Sequence, residues 1–248
     1  MDIFDIKDKV AIVTGTNSGV GQAIAKAYLN AGAKVLGVSI DDGCASNSNF
    51  NKNFVEYPAD LIKQDGVDDI VQKCVDRFGR VDILVNNAGT IRRDDAINFC
   101  EKDWDDVLNI NLKTVFFLSQ AVAKQFIKQK KPGKIINVSS VLSFQGGTRV
   151  ASYSASKAAI QGLTKGLANE WAVHNININA IVLGYFETAN TASFRSDPNT
   201  NKSILDRIPQ SRWGIPDDTV GTAIFLASHA SDYVNGSAIV VDGGWSTR

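Results

Sequence analysis

Short apolar runs alternate with longer stretches of helical periodicity along most of the chain. Val10-Ala11-Ile12-Val13 is a β-branched run between charged residues and a glycine-rich turn, and it reads as a buried parallel strand. From residue 20 to 31 the apolar positions Ile24, Ala25, Tyr28 and Leu29 recur at helical spacing. Gly32 stands where a helix stop is expected. The same reading predicts strands at 34–40, 81–85, 135–138, 176–183 and 238–241. It predicts helices at 67–78, 104–129, 154–171 and 219–227. The segment 187–209, with Asn190, Ser193, Ser196, Pro198, Asn199 and Asn201, shows neither pattern and reads as irregular.

Strands alternating with amphipathic helices predict βαβ units and a parallel sheet with helices on both faces. With right-handed crossovers this is an α/β, doubly wound Rossmann fold of about seven strands. No linker-like stretch or internal repeat divides residues 1–248, so one domain is expected. The irregular segment follows a strand end, where such sheets place their ligand crevice. Residues 187–209 are therefore a candidate substrate lid, with a plain surface insertion as the alternative.

Composition narrows the function classes. Of 248 residues, 44% are hydrophobic and 21% charged, which fits a globular chain. Twenty-six Lys and Arg balance 26 Asp and Glu, so no global basic field is available for nucleic acid or an anionic membrane. Cys44, Cys74 and Cys100 are widely spaced, and His174 and His229 are the only histidines. Neither a zinc site nor a disulfide scaffold is expected. No apolar run approaches a membrane span, and residues 1–5 lack the features of a signal peptide. A cytoplasmic protein is expected.

The chemistry starts where the first strand runs into Thr14-Gly15-Thr16-Asn17-Ser18-Gly19-Val20-Gly21 and then a helix. Gly15 suits the tight turn, Gly19 the approach of a phosphate, and Gly21 close helix–strand packing. The helix N-terminus offers N–H groups and a positive dipole to a pyrophosphate. The second strand ends in Ser39-Ile40-Asp41-Asp42, with no Lys or Arg between Lys34 and Lys52. An acid here bonds ribose hydroxyls and repels a 2′-phosphate, so NAD is expected over NADP. Solvated turn aspartates are the alternative reading.

This glycine pattern resembles that of the short-chain dehydrogenase/reductase family, and further motifs agree from about residue 8 to the C-terminus. Asn86-Asn87-Ala88-Gly89 is similar to the family's cofactor-supporting turn, and Asp60-Leu61 to its adenine contact. Asn111, Ser140, Tyr153 and Lys157 match its catalytic asparagine, its serine and its Tyr-x-x-x-Lys pair. One departure is Leu183-Gly184, where the family usually has Pro-Gly. The resemblance implies that Thr188 binds the nicotinamide carboxamide, that Asn111 holds a water leading from Lys157 to solvent, and that the chain forms a homotetramer.

Elementary chemistry supports the same residues. Tyr153 and Lys157 are four apart on a predicted helix and share a face. Free tyrosine titrates near ~10, and acid–base work at neutral pH needs a lower value. A shift of ~3 units requires ~4 kcal/mol of preferential phenolate stabilisation. Lys157 and a positive nicotinamide could supply it. Ser140 would bond the substrate oxygen.

The strings at 86–93, 142–149, 208–214, 230–236 and 241–245 resemble those of the family's sugar-acid dehydrogenases. A sugar acid carries a carboxylate, which arginine forks bind bidentately. Arg149, between Ser140 and Tyr153, is the first candidate for that carboxylate, with a solvated loop cation as the alternative. Arg92 is a second, although Arg92 and Arg93 could instead pair with Asp94 or Asp95. Gln145 is a candidate reader of a hydroxyl. Trp213 and Trp245 read as core or subunit-interface residues. Two competing functions stay open: a reductase of acyl-thioester or other ketones, and a cofactor-binding regulator on an inactive enzyme fold. The intact Asn111, Ser140, Tyr153 and Lys157 argue against the regulator.

Overall fold

The computed structural model describes residues 3–40, 52–63 and 66–247. Among them, seven parallel strands form one sheet. They are β1 (Val10–Thr14), β2 (Lys34–Ser39), β3 (Phe54–Pro58), β4 (Ile83–Asn86), β5 (Gly133–Ser140), β6 (Ile176–Leu183) and β7 (Ala238–Val241). Their spatial order is β3-β2-β1-β4-β5-β6-β7. The order reverses at the β1–β4 pair, where Ala11 lies opposite Ile83. The loops leaving these two strands diverge there and open a crevice at the strand ends.

The helices are α1 (Gly19–Asn30), α2 (Val67–Phe78), α3 (Glu101–Leu108), α4 (Thr114–Gln129), α5 (Ala151–Trp171), α6 (Ala192–Ser196), α7 (Pro198–Arg207) and α8 (Val220–Ala227). Alternation along each strand sorts its side chains to opposite faces. Val10, Ile12, Leu84 and Ile135 pack with Ile70, Leu118, Val122, Phe126 and Leu167 of α2, α4 and α5. Ala11, Val13, Val85 and Ile136 pack with Ile24, Tyr28, Ala223 and Leu226 of α1 and α8. A third, smaller core of Val141, Val182, Ile204, Ile208, Trp213 and Trp245 lies under segment 187–209.

Several expectations need correction. Strand β3 was not expected: its four leading residues are half-buried at the sheet edge, and Phe-Val-Glu-Tyr-Pro shows little hydrophobic contrast. The expected single helix over 104–129 is three pieces, because a π-helical turn at Asn109–Lys113 joins α3 to α4. The 187–209 segment is not irregular, since it carries α6 and α7. Asp197 caps α7 by accepting from the Thr200 N–H at 3.0 Å, and Pro198 opens it. That Asp-Pro start was readable in the sequence, but the long polar run masked it. The expected strand at 34–40 ends at Ser39, and the helix at 154–171 starts three residues earlier, at Ala151.

Buried polar groups fix the strand ends near the crevice. The Asn86 amide donates to Ser119 Oγ at 3.0 Å and to Asn137 Oδ1 at 2.9 Å, and Asn137 donates to Thr164 Oγ1 at 2.9 Å. This file links α4, β4, β5 and α5. Thr14 Oγ1 accepts from the backbone N–H groups of Asn87 (3.0 Å) and Ala88 (2.9 Å). One hydroxyl thus ties the end of β1 to the turn after β4.

Thr14→Val keeps the shape but removes the acceptor for both N–H groups. We expect it to lower unfolding free energy by about 1–3 kcal/mol, the cost of unpaired buried donors. Urea midpoints at an unchanged m-value would measure this. A midpoint equal to that of the parent would mean that water satisfies both groups.

Candidate active site

The loops after β1, β4, β5 and β6 line one cavity of about 660 Å³. Gly15, Asn17, Ser18, Gly19 and Val20 form one wall, and Asn87, Ala88 and Gly89 continue it. Ser140, Gln145, Tyr153, Lys157 and Thr188 face the same space. The glycine wall fits a dinucleotide. Gly19 has φ +57° and opens onto the cavity, with only the Thr188 methyl within 4 Å of where a Cβ would stand. At Gly21 a Cβ would lie 2.2 Å from the Gly15 carbonyl oxygen, so only glycine lets α1 begin this close to the turn. Ser18 occupies the N-cap of α1 without a side-chain cap bond, which leaves first-turn N–H groups for an anion.

Helix α5 carries Tyr153 and Lys157. Lys157 is 5% exposed; its Nζ donates to the Val138 carbonyl at 2.8 Å and lies 5.7 Å from the centre of the Tyr153 ring. Burial lowers the Lys157 ammonium to about 8. Burial raises the Tyr153 phenol, while a hydrogen bond with Ser140 and the Arg93 charge act in the opposite direction. Asn111 sits in the π-helical turn and is fully buried. Its Oδ1 accepts from the Thr90 N–H at 2.8 Å; its Nδ2 donates to the Thr90 carbonyl at 2.9 Å and to Ser156 Oγ at 3.1 Å. Asn111 thus clamps the loop after β4 against α5, beside Tyr153.

Other expected residues lie elsewhere. Asp41 falls outside the described residues. Asp60 accepts from the Ile62 N–H at 3.1 Å and pairs with Lys63, and the Leu61 carbonyl accepts from Thr114. Neither lines the cavity. Arg149 is a correction: it has φ +65°, is half exposed, and its guanidinium lies 3.1 Å from Asp95 and 3.8 Å from Asp94, outside the cavity lining. Its position in the loop between Ser140 and Tyr153 suggested inward reach, but the left-handed backbone turns it away. Arg92 also misses the cavity, pairing with Asp103 and Asp106 and donating to Thr90 Oγ1.

Two other arginines line the cavity instead. Arg93 donates to the Asn190 carbonyl at 2.9 Å and stacks over Phe194 at 4.9 Å. Arg207 ends α7, stacks over Trp245 at 3.9 Å and donates to Gln145 Oε1 at 2.8 Å. Nothing in the sequence separates Arg93 from Arg92, because the choice depends on which way an irregular loop turns. Arg207 was hidden by the reading of its segment as irregular. Tyr185 and Trp245 also line the cavity, with ring centroids 4.4 Å apart. Trp245 therefore belongs both to the small core and to the cavity wall.

Comparison with known proteins agrees with this geometry. Residues 9–199 match the family model described as short chain dehydrogenase. The chain is 54% identical to the 2-dehydro-3-deoxy-D-gluconate 5-dehydrogenase of Dickeya dadantii (strain 3937), covering 100% of this chain and 99% of that protein. It is 52% identical to the enzyme of the same name from Escherichia coli (strain K12), with the same coverage. Among solved structures, a protein from Agrobacterium tumefaciens with bound NADP is similar at TM-score 0.93 and 44% identity, over 100% of both chains. A gluconate 5-dehydrogenase from Burkholderia cenocepacia J2315 in complex with NADP and tartrate is similar at TM-score 0.93 and 35% identity, covering 100% of this chain and 98% of that one.

The buried ammonium has a measurable signature. Its folded value of about 8 lies below the ~10.4 of an unfolded lysine. Between those values the unfolded chain binds more protons, so folding stability rises with pH. We expect unfolding free energy, relative to Lys157→Met, to climb between pH 8 and 10 by on the order of 2 kcal/mol. Urea unfolding of both proteins without cofactor would measure it. A flat difference would show that Lys157 keeps its charge throughout.

Proposed function

The chain belongs to the short chain dehydrogenase family, and on that premise we propose that it is an NAD-dependent 2-dehydro-3-deoxy-D-gluconate 5-dehydrogenase. It is an oxidoreductase of CH–OH groups. The observation that carries the substrate reading is a cavity in which Ser140 and Tyr153 face two guanidinium groups, Arg93 and Arg207. A sugar acid brings a reacting hydroxyl and a carboxylate, and these side chains answer both. A neutral ketone carries no group that calls for two cations in that wall.

The residues divide the work. The turn 15–21, with Asn87, Ala88, Gly89, Lys157 and Thr188, would hold the dinucleotide. Asp41, Asp60 and Leu61 would serve its adenosine end. When bound, that cofactor exchanges a hydride with the reacting carbon. Ser140 donates a hydrogen bond to the substrate oxygen, while Tyr153 takes its proton in oxidation and returns it in reduction. Lys157 and Arg93 favour the phenolate by charge. Asn111 holds the water route by which the proton leaves for solvent. Segment 187–209 acts as a lid, tethered where Arg93 donates to the Asn190 carbonyl at 2.9 Å and Arg207 donates to Gln145 Oε1 at 2.8 Å. A homotetramer in the cytoplasm belongs to the same proposal. Trp104, Phe117 and Ile127 on α3 and α4, each over a third exposed, suit a subunit face.

Support for NAD comes from Asp41 and Asp42 without a nearby cation. An NADP reading also has support, because the Agrobacterium and Burkholderia structures carry NADP. If Asp41 reads the ribose, kcat/KM should favour NAD by at least about tenfold, roughly 1.4 kcal/mol. Asp41→Ala should narrow that gap. Equal efficiency with both cofactors would overturn the preference.

Tyr153→Phe removes the proton carrier and leaves the glycine wall intact. We expect turnover of 2-dehydro-3-deoxy-D-gluconate to vanish while the dissociation constant for the dinucleotide changes less than about threefold. Steady-state rates and fluorescence titration would measure both. Activity within a few-fold of the parent would remove Tyr153 from the chemistry, and a parent inactive on sugar acids would overturn the substrate reading.

A further inference from the structure

We propose that Arg207, held by Gln145 and Trp245, is the receptor for the substrate carboxylate, and that Arg93 serves the reacting end of the same molecule. This rests on the sugar-acid reading and deepens it. Three segments far apart in sequence meet at this corner: the end of α7, the loop after Ser140, and the turn at Trp245–Thr247. The Trp245 ring centre 3.9 Å from the guanidinium carbon and the bond to Gln145 together restrict how the group can turn. A guanidinium oriented in advance loses less entropy on meeting a carboxylate. The Trp245 indole N–H is buried in the same cluster and has no acceptor among the described residues.

The division between the two arginines follows from chemistry. A chain numbered from its carboxylate as carbon 1 and oxidised at carbon 5 has four carbon–carbon bonds between the two groups. The carboxylate therefore cannot sit beside the phenol that takes the proton. Arg93 stands at the reacting end: it follows Thr90 by three residues, Asn111 ties Thr90 to Ser156 beside Tyr153, and the Arg93 charge acts on that phenol. The Arg207 charge acts on Tyr185 instead, on the wall that also holds Trp245. Arg207 ends α7, so an acid bound there would also hold α7 where it already lies against the cavity.

The test compares 2-dehydro-3-deoxy-D-gluconate with its carboxamide, a neutral molecule of the same length. Arg207→Ala should cut kcat/KM for the acid by about 10- to 150-fold, the range of one charge-assisted hydrogen bond. The carboxamide should change less than about threefold. Arg207→Lys should recover part of the acid's rate, because the charge returns without the fork. Gln145→Glu places a carboxylate on the same corner and should weaken the acid at least about tenfold while sparing the carboxamide. Arg93→Ala should slow acid and carboxamide alike. Unchanged dinucleotide affinity and melting temperature in each variant would exclude misfolding. If Arg207→Ala slows both substrates equally, Arg207 is only a lid fastening and the proposal fails. It also fails if Arg93→Ala, and not Arg207→Ala, removes the distinction between acid and carboxamide. A parent that turns over neither compound would instead defeat the sugar-acid reading itself.

Discussion

A lysine buried in the seam between α5 and β5 is the constraint around which the site is arranged. Burying an ammonium is costly, and the surroundings must answer it with oriented acceptors. Lys157 reaches the Val138 carbonyl in the middle of β5, which holds α5 against the strand. The same strand ends in Ser140, and the same helix carries Tyr153 one turn before Lys157. Ser139 Oγ donates to the Lys157 carbonyl at 3.2 Å, and Gln161 donates to both Ser139 and Ser143. The relative position of serine, tyrosine and lysine is therefore a property of one rigid helix–strand contact.

The glycine wall depends on a different contact of the same kind. Asn87 inserts its amide between the ends of β1 and β4, donating to the Thr14 carbonyl at 2.8 Å. Gly21 passes close to that amide, and this fixes the angle at which α1 leaves the turn. The π-helical turn at Asn109–Lys113 connects the two halves. An α-helix that continued straight would carry Asn111 past the Thr90 backbone; the wider turn lets it face inward and clamp both groups. π-turns recur at functional sites for this reason, since they rotate one residue out of the helical register.

The strand–helix alternation and the placement of Tyr153 and Lys157 on one helix were legible because each rests on local information. A β-branched run makes a buried strand wherever it lies in the sheet, and Tyr153 and Lys157 share a face on any α-helix. The sheet-edge strand β3 was not legible, because half-buried edge residues lack the contrast that periodicity detects. Nor were the arginines of the cavity. Position between Ser140 and Tyr153 favoured Arg149, yet a positive φ sends its side chain to Asp94 and Asp95. Which of Arg92 and Arg93 turns inward depends on a loop whose course is set by tertiary contacts with Asp103, Asp106 and Asn190. Charge that reads a substrate sits on loops and lids, and these are the elements least determined by their own sequence.

The site divides into a frame set by the sheet and a segment, 187–209, fastened onto it. The helix–strand seam and the glycine wall carry hydride and proton chemistry common to any carbinol. The segment carrying α6 and α7 touches the frame through a small core, two arginine–aromatic contacts and hydrogen bonds that include Arg93 to the Asn190 carbonyl, Arg207 to Gln145, Trp213 to Asn201 and the Glu187 N–H to the Gly214 carbonyl. Each stack at a part-exposed site is worth only about 0.5–1 kcal/mol, and each net hydrogen bond about as much. The burial of Ile204 and Ile208 in the small core adds about 1.5–3 kcal/mol each, so apolar contact holds the segment and the polar contacts set its position. Arg93 and Arg207 are both part of the fastening and part of the cavity wall, so on the proposed reading a molecule that satisfies both guanidinium groups also holds the segment in place. Selection among substrates would then act through that segment, while Tyr153, Lys157 and Ser140 stay where the buried helix–strand seam holds them.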